Sequence, residues 1–472
     1  MTTLKVRWLL FGLLLFLLIL YGIPDGVMPT GANRVAAAAV LMAVLWVSEA
    51  IPIPATALLP VVLFPLLGVM PIEAAAANYA HHLVFLFLGG FWIAAAVERC
   101  GLHRRIALQV LGVMGSRQDR IVLGFMAATA FLSMWLSNTA TTMMMLPIAL
   151  AVVARLGADT HEPFGRTLML GIAYSASIGG VATLIGTPPN AVLAGVVEKG
   201  LNLTIGFAQW MLFGLPLAVV MLAIAWWYLT RIAERISGRE ADCGTDMIQG
   251  EIDRLGSMDS AERRVLLVFA TVAGLWVFKG LLPADWFGSL SDSTIAMAGA
   301  IALFMIPGGR DARAGLLDWQ AAADVPWDVL ILFGGGFALA HGFQQSGLTE
   351  WIGNQLDFLR HVHWFVLMLV VALVTIFLTE VTSNTATASM LLPIVAGLAA
   401  GAGQDPLTPM VATALAASFA FMLPVATPPN AIVFASRQIS IPEMARAGIW
   451  MNLIGIALIA LFVSVVLPWV WG

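Results

Sequence analysis

The stretch Ser137-Asn138-Thr139-Ala140-Thr141 returns letter for letter as Ser383-Asn384-Thr385-Ala386-Thr387, 246 residues later. The same spacing relates Leu88-Gly89-Gly90-Phe91 to Gly334-Gly335-Gly336-Phe337, Cys100-Gly101-Leu102 to Ser346-Gly347-Leu348, and Pro147 to Pro393. A spacing held constant from Phe91 to Pro147 marks an internal repeat. A further pair, Thr187-Pro188-Pro189-Asn190 and Thr427-Pro428-Pro429-Asn430, is spaced by 240, so a loop of the second copy has lost six residues.

These polar motifs sit in an apolar chain. Of 472 residues 60% are hydrophobic and 11% charged, with mean hydropathy +0.92. A water-soluble fold carries about a quarter charged residues, so a soluble globular protein is excluded. The apolar runs are long enough to cross ~30 Å of hydrocarbon and do not alternate as barrel strands do. The chain reads as an all-α polytopic membrane protein with about 11 transmembrane helices. Spans fall near residues 8–23, 35–50, 54–70, 82–98, 167–198, 207–229, 265–282, 294–306, 327–345, 408–435 and 449–471. Net charge is −4 without a basic tract, which argues against nucleic acid as a partner. Cys100 and Cys243 lack metal-ligand spacing and read as free thiols. Lys5 and Arg7 precede an apolar run with no clear cleavage site, which reads as a first transmembrane helix rather than a signal peptide.

Two apolar stretches, 121–155 and 363–400, are each interrupted by Ser-Asn-Thr, leaving arms of roughly 15 to 20 residues, several of them too short to cross the bilayer. Each is expected to enter and leave by one face, as a re-entrant helical hairpin. With the N-terminus inside, only Arg34, Lys199, Lys279 and Arg360 fall on the outer side, and the remaining 19 of the 23 basic residues collect in cytoplasmic segments. The C-terminus is then extracytoplasmic, and the two hairpins open to opposite sides. The repeat is thus expected to be inverted, a common construction of secondary transporters, whose binding site lies where the copies meet. The expected organisation is N-terminal scaffold helices (1–80), a first repeat (81–230, hairpin 121–155, helix broken at 186–190), and a cytoplasmic amphipathic connector (231–264). Second-half scaffold helices (265–326) and a second repeat (327–472, hairpin 363–400, break at 426–430, then a C-terminal helix) complete it.

At a hairpin tip, Ser-Asn-Thr begins a helix whose unpaired N–H groups, with hydroxyl and amide side chains beside them, hold an oxyanion without a fixed cation. The paired prolines force breaks that free carbonyls at Ile185, Gly186, Val425 and Ala426, a setting for a dehydrated cation such as Na⁺. The repeated glycines Gly89, Gly90 and Gly335 read as close-packing positions. No Lys or Arg falls in the membrane core, and its acidic residues are Glu49, Glu98 and Glu380. Glu380 is either a proton relay or, more simply, a structural carboxylate. His161-Glu162 lacks a following metalloprotease His, and His81 and His82 are adjacent, hence expected on different helix faces, and interfacial, so an enzyme is not expected and no organic cofactor is implied.

Two inverted copies, two Ser-Asn-Thr tips, two Thr-Pro-Pro-Asn breaks and the run Ala420-Phe421-Met422-Leu423-Pro424-Val425-Ala426-Thr427-Pro428-Pro429-Asn430 span essentially the whole chain. In these features the sequence resembles the divalent anion/sodium symporter family, the INDY-type di- and tricarboxylate transporters. The resemblance implies a homodimer in a plasma (inner) membrane, each protomer with a scaffold domain and a transport domain moving as an elevator. It also implies substrate contacts at Ser137, Asn138, Thr139, Ser383, Asn384, Thr385, Thr427 and Pro428. One Na⁺ site would use Ser133, Ser137, Asn138 and Gly186, and a second Thr379, Asn384 and Ala426. The function so expected is Na⁺-coupled import of C4-dicarboxylates such as succinate, malate or fumarate. An electroneutral dicarboxylate exchanger, or a tricarboxylate or sulfate transporter on the same scaffold, is the alternative.

Overall fold

The computed structural model describes residues 3–24, 26–113, 117–155, 162–236, 242–279, 290–308, 315–356 and 362–471. His161, Arg239, Arg310, Arg313, Arg360 and the side chain of Cys243 lie outside the described residues. The described chain is helical, as its long Leu-, Ala- and Val-rich runs require where no water satisfies the backbone. Seven helical stretches among the described residues are long and apolar enough to cross a bilayer: Thr3–Gly22, Thr30–Ser48, Ile72–Arg99, Asn138–Arg155, Phe207–Ala233, Asn384–Gly401 and Ile441–Trp471. The expected span at 54–70 is instead two short helices, Ile53–Ala57 and Leu59–Leu66, with Pro65 inside the second. Asp292–Met305 has 14 residues and reaches only ~21 Å.

Both hairpins form. The first has arms Gln118–Ser133 and Asn138–Arg155, the second Trp364–Thr379 and Asn384–Gly401, so the arm lengths match at 16 and 18 residues in each. At ~1.5 Å per residue no arm exceeds about 27 Å. Both broken helices form as well, as Pro163–Gly180 with Pro188–Leu201 and Leu407–Ala417 with Pro428–Ala435. The breaks lie earlier than the sequence reading placed them: residues 181–187 and 418–427 are unwound, and the prolines open the second half-helices. Proline at a first helical position loses only an N–H that had no partner and supplies the helical φ, so it starts a helix more readily than it ends one.

Ion pairs divide the loops into two groups. Arg99 pairs with Asp318, Arg104 with Glu251, Arg105 with Glu262, Arg166 with Glu234 and Glu443, and Arg231 with Asp119. At the opposite ends of the same helices, His82 meets Glu198 and Lys279 meets Asp292. The Ala321 amide and the Arg99 guanidinium hold Asp318 below the usual carboxylate range. The base of the first hairpin, at Asp119, belongs to the arginine-rich group. The second hairpin is packed by Leu348–Gln355, which follows Gln344, and Gln344 donates to the Gly200 carbonyl beside Glu198 at the other end. The two copies therefore enter from opposite ends of the molecule.

The glycines pack as expected at two of three positions. A Cβ on Gly89 would stand 2.7 Å from the Ala296 carbonyl carbon, and one on Gly335 would stand 2.5 Å from the Ala57 oxygen. Gly90 has more room, with Ile185 at 3.4 Å. The connector is held by Arg105, whose guanidinium forks onto Glu262 at 3.0 and 2.9 Å and donates to the Gly256 carbonyl at 2.9 Å.

Candidate functional site

The hairpin tips and helix breaks converge on one cavity of about 800 Å³. Ser137, Asn138, Thr139, Ser383, Asn384, Thr385, Thr427 and Pro428, all eight residues expected to touch substrate, line it together with Gly186 and Ala426. Phe87, Phe91, Val381 and Val425 supply apolar wall, and Val425 is 80% exposed. Among the described residues lining it there is no Lys or Arg, and the charged ones are Glu49, Asp324 and Asp328. A smaller cavity of about 510 Å³ shares Phe91, Ser137, Thr139 and Asp324 with it and runs on to Glu98 and Arg99. The site therefore opens toward the arginine-rich end.

The repeat is reproduced in hydrogen bonds. Ser133 Oγ, at the end of one first arm, lies 2.7 Å from the Ala176 carbonyl and 2.5 Å from Asn138 Oδ1. Thr379, its counterpart, lies 3.1 Å from the Ala417 carbonyl and 2.6 Å from Asn384 Oδ1. Both hydroxyls are fully buried. Each hydroxyl carries one proton, so in each cluster one of the two close pairs leaves oxygen facing oxygen. The Asn138 oxygen faces acceptors only; turned over, its amide nitrogen would donate to Ser133 Oγ, to the Ala176 oxygen at 3.1 Å and to the Gly186 oxygen at 3.3 Å. Gly180 closes this cluster, and a Cβ there would stand 2.9 Å from Asn138 Oδ1 and 3.0 Å from the Gly186 oxygen. Sequence reasoning missed Ala176 and Ala417, because they contribute only backbone and carry no motif.

The asparagines of the proline motifs brace the breaks. Asn190 Nδ2 donates to the Thr183 carbonyl at 2.8 Å, and Asn430 Nδ2 to the Leu423 and Ala420 carbonyls at 3.0 and 3.1 Å. Some of the carbonyls that the unwinding frees are thus taken by the motif itself. Thr427 caps its half-helix, accepting from the Asn430 amide at 3.3 Å, and Ser137 accepts from the Ala140 amide at 3.1 Å.

Glu380 does not line the cavity. Its carboxylate accepts from the Phe421, Met422 and Leu423 amides at 2.8, 2.9 and 3.0 Å and from Asn452 Nδ2 at 2.7 Å. All of these bonds tie the end of the second hairpin's first arm to the unwound segment and the C-terminal helix. The structural reading of this residue is the one the geometry bears out.

Residues 4–471 match a family profile described as the sodium:sulfate symporter transmembrane region. The chain is 43% identical over 476 residues to a protein of Staphylococcus saprophyticus named sodium-dependent dicarboxylate transporter SdcS, covering 98% of this chain and 92% of the relative. It is 43% identical over 475 residues to the protein of the same name in Staphylococcus aureus strain USA300, with 98% and 91% coverage. Among solved structures it resembles the YdaH transporter of Alcanivorax borkumensis, with TM-score 0.59, 15% identity and 84% and 88% coverage. MtrF of Neisseria gonorrhoeae, described among antimetabolite efflux pumps, gives TM-score 0.57, 15% identity and 84% coverage of both chains. At that identity the likeness concerns the fold alone.

Proposed function

The chain belongs to the sodium:sulfate symporter family, and on that premise we propose that it couples Na⁺ entry to import of C4-dicarboxylates such as succinate, malate and fumarate. The observation that carries this reading is the wall of the cavity: two equivalent Ser-Asn-Thr tips face one space without a Lys or Arg among the described lining residues. Two like anion holders suit a substrate with two carboxylates. Ser137, Asn138 and Thr139 receive one, Ser383, Asn384 and Thr385 the other, with Thr427 and Pro428 beside them. Each tip offers hydroxyls, an amide and the open N–H groups of a helix start.

A dianion in a site with no fixed cation needs mobile positive charge. We assign one Na⁺ to Ser133, Ser137, Asn138 and Gly186, joined by the Ala176 carbonyl, and a second to Thr379, Asn384 and Ala426, joined by the Ala417 carbonyl. The oxygens gathered in the two clusters support this assignment, since the Ser133 hydroxyl with the Ala176 and Gly186 carbonyls, and the Thr379 hydroxyl with Asn384 Oδ1 and the Ala417 carbonyl, are the donors a hard cation takes. Without the ion, Asn138 turns its amide nitrogen inward; with it, the oxygen. Glu49, Asp324 and Asp328 at the mouth repel a dianion and concentrate cations, which favours Na⁺ binding before substrate. Each net positive charge carried inward gains ~2.3 kcal/mol per 100 mV of inside-negative potential.

The loaded transport domain then moves past the scaffold as an elevator, within a homodimer in the plasma (inner) membrane. The N-terminus and the arginine-rich end face the cytoplasm in this reading, which makes the cavity inward-open. Purified protein in liposomes tests the reading: an inward Na⁺ gradient is expected to drive uptake of labelled succinate, and uptake indifferent to Na⁺ would overturn it. Excess citrate, glutamate and sulfate should compete less well than fumarate and malate. Asn138→Ala and Asn384→Ala should each abolish transport while leaving membrane insertion intact.

A further inference from the structure

Away from the cavity, at the end that carries Lys279 and Asp292, two histidines and a carboxylate meet with no part in the transport reading. His82 Nε2 lies 2.8 Å from Glu198 Oε2, and His81 Nε2 lies 3.8 Å from Glu198 Oε1. One ligand atom from each of the three residues falls within 4.8 Å of the other two. We propose that His81, His82 and Glu198 form a binding site for a divalent transition-metal ion such as Zn²⁺, with water completing the coordination.

Two imidazoles and a carboxylate are a donor set that Zn²⁺ takes with an open fourth position, at ligand distances of about 2.0–2.2 Å. Ligand atoms so bound stand roughly 3.3 Å apart, so side-chain adjustments of an ångström or so close the cluster around an ion. The outer partner is in place: His82 Nδ1 lies 3.1 Å from Ser293 Oγ, and donation to that hydroxyl leaves the Nε2 lone pair toward Glu198. The His81 side chain is nearly buried, its ring packed on Phe337 at 5.0 Å and on His82 at 4.6 Å, so it cannot swing away to solvent. Ligation requires His81 to surrender one contact, from the Leu83 amide at 3.5 Å, which is already at the limit of a hydrogen bond. A hydrated alkali ion lacks affinity for imidazole nitrogen, so the site is chemically distinct from one built of hydroxyls and carbonyls.

The ligands belong to different elements. His81 and His82 open the helix His82–Arg99, and Glu198 closes Pro188–Leu201, whose first residue lines the cavity. An occupied site pins that half-helix to its neighbour and thereby slows any motion that separates the two.

The test uses full-length purified protein with any polyhistidine tag removed. Titration with Co²⁺ should give an intense visible absorption that saturates at one equivalent per chain and is displaced by Zn²⁺. His82→Ala, at the exposed imidazole, and Glu198→Gln should each weaken Co²⁺ binding at least tenfold, with elution and thermal unfolding of the apoprotein unchanged. In liposomes, Zn²⁺ added on the His82 side should slow uptake in the parent protein and not in His82→Ala. Binding without saturation, or of equal strength in parent and variants, would overturn the proposal. Because Co²⁺ absorption is read without substrate or Na⁺, its outcome is independent of the transport reading.

Discussion

At Gly180 a hydrogen stands where any other residue would place a carbon 2.9 Å from the Asn138 amide oxygen and 3.0 Å from the Gly186 carbonyl. A methyl there fills the first oxygen cluster rather than the substrate space. Overpacking of this kind costs about 1–3 kcal/mol, equivalent to a rise of roughly 5- to 150-fold in the Na⁺ concentration that half-activates uptake. Gly180→Ala should show that rise with a much smaller change in succinate half-saturation at high Na⁺; an unchanged Na⁺ dependence would remove the ion from this cluster. Glu380 is a different case. Its two oxygens hold three backbone amides and one side-chain amide, so a Gln there presents NH₂ to donors. Each buried N–H left unpaired costs about 1–3 kcal/mol. Glu380→Gln should lower the thermal unfolding midpoint and transport together while leaving the shape of the pH profile of residual uptake unchanged; a stable variant with an altered profile would restore the proton-relay role. Asn138 and Asn384 were legible in the sequence because repetition singles them out. The partners of Glu380 lie 41 to 72 residues away, along no repeat and in no motif, so only the folded chain brings them together.

The elements that sequence located best are those whose ends carry a chemical signal. Ser-Asn-Thr marks the start of each second hairpin arm, and Asn138 and Asn384 are the first residues of those arms. The sequence places the breaks in the right helices and a few residues late, because two prolines read as a helix end while their backbone chemistry makes them a start. At the end of the first half-helix Gly179 packs directly on the first hairpin, where a Cβ would stand 2.2 Å from the Ala130 oxygen. The connector followed a similar course. Its charge pattern announces a helix, and Asp242–Leu255 is one, but its anchor is the buried fork of Arg105 on Glu262, 157 residues apart. Removing one partner of a buried pair costs about 3–5 kcal/mol, since the other charge is left without compensation. Arg105→Ala should therefore expose the segment 231–264 to limited proteolysis at a concentration of protease that leaves the parent protein whole, with Arg105→Lys intermediate because an ammonium cannot make the bidentate contact.

For the whole molecule, the sorting of charge and the geometry of the cavity make one argument. Several of the cationic residues that the sequence collects on one side pair with acidic residues of that same end in three dimensions, as Arg104 with Glu251 and Arg166 with Glu234 and Glu443. The cavity opens toward that same end through Asp324 and Arg99. The proposed orientation, with the positive-rich face cytoplasmic, puts the solvent path to Val425 and Asp324 inside the cell and that to His82 outside. Cysteines introduced at these positions, in a background with Cys100 and Cys243 replaced by serine, report both facts at once. A membrane-impermeant maleimide applied to intact cells should label His82→Cys and leave Asp324→Cys and Val425→Cys unreacted until the membrane is permeabilised. Under an inward Na⁺ gradient, with the site cycling between its two faces, Val425→Cys should become reactive from outside, whereas Asp324→Cys, within the segment 265–326 assigned to the scaffold, should not. Labelling of Asp324→Cys from outside would reverse the topology; a Val425→Cys that never reacts from outside during turnover would leave the cavity fixed and remove the elevator step.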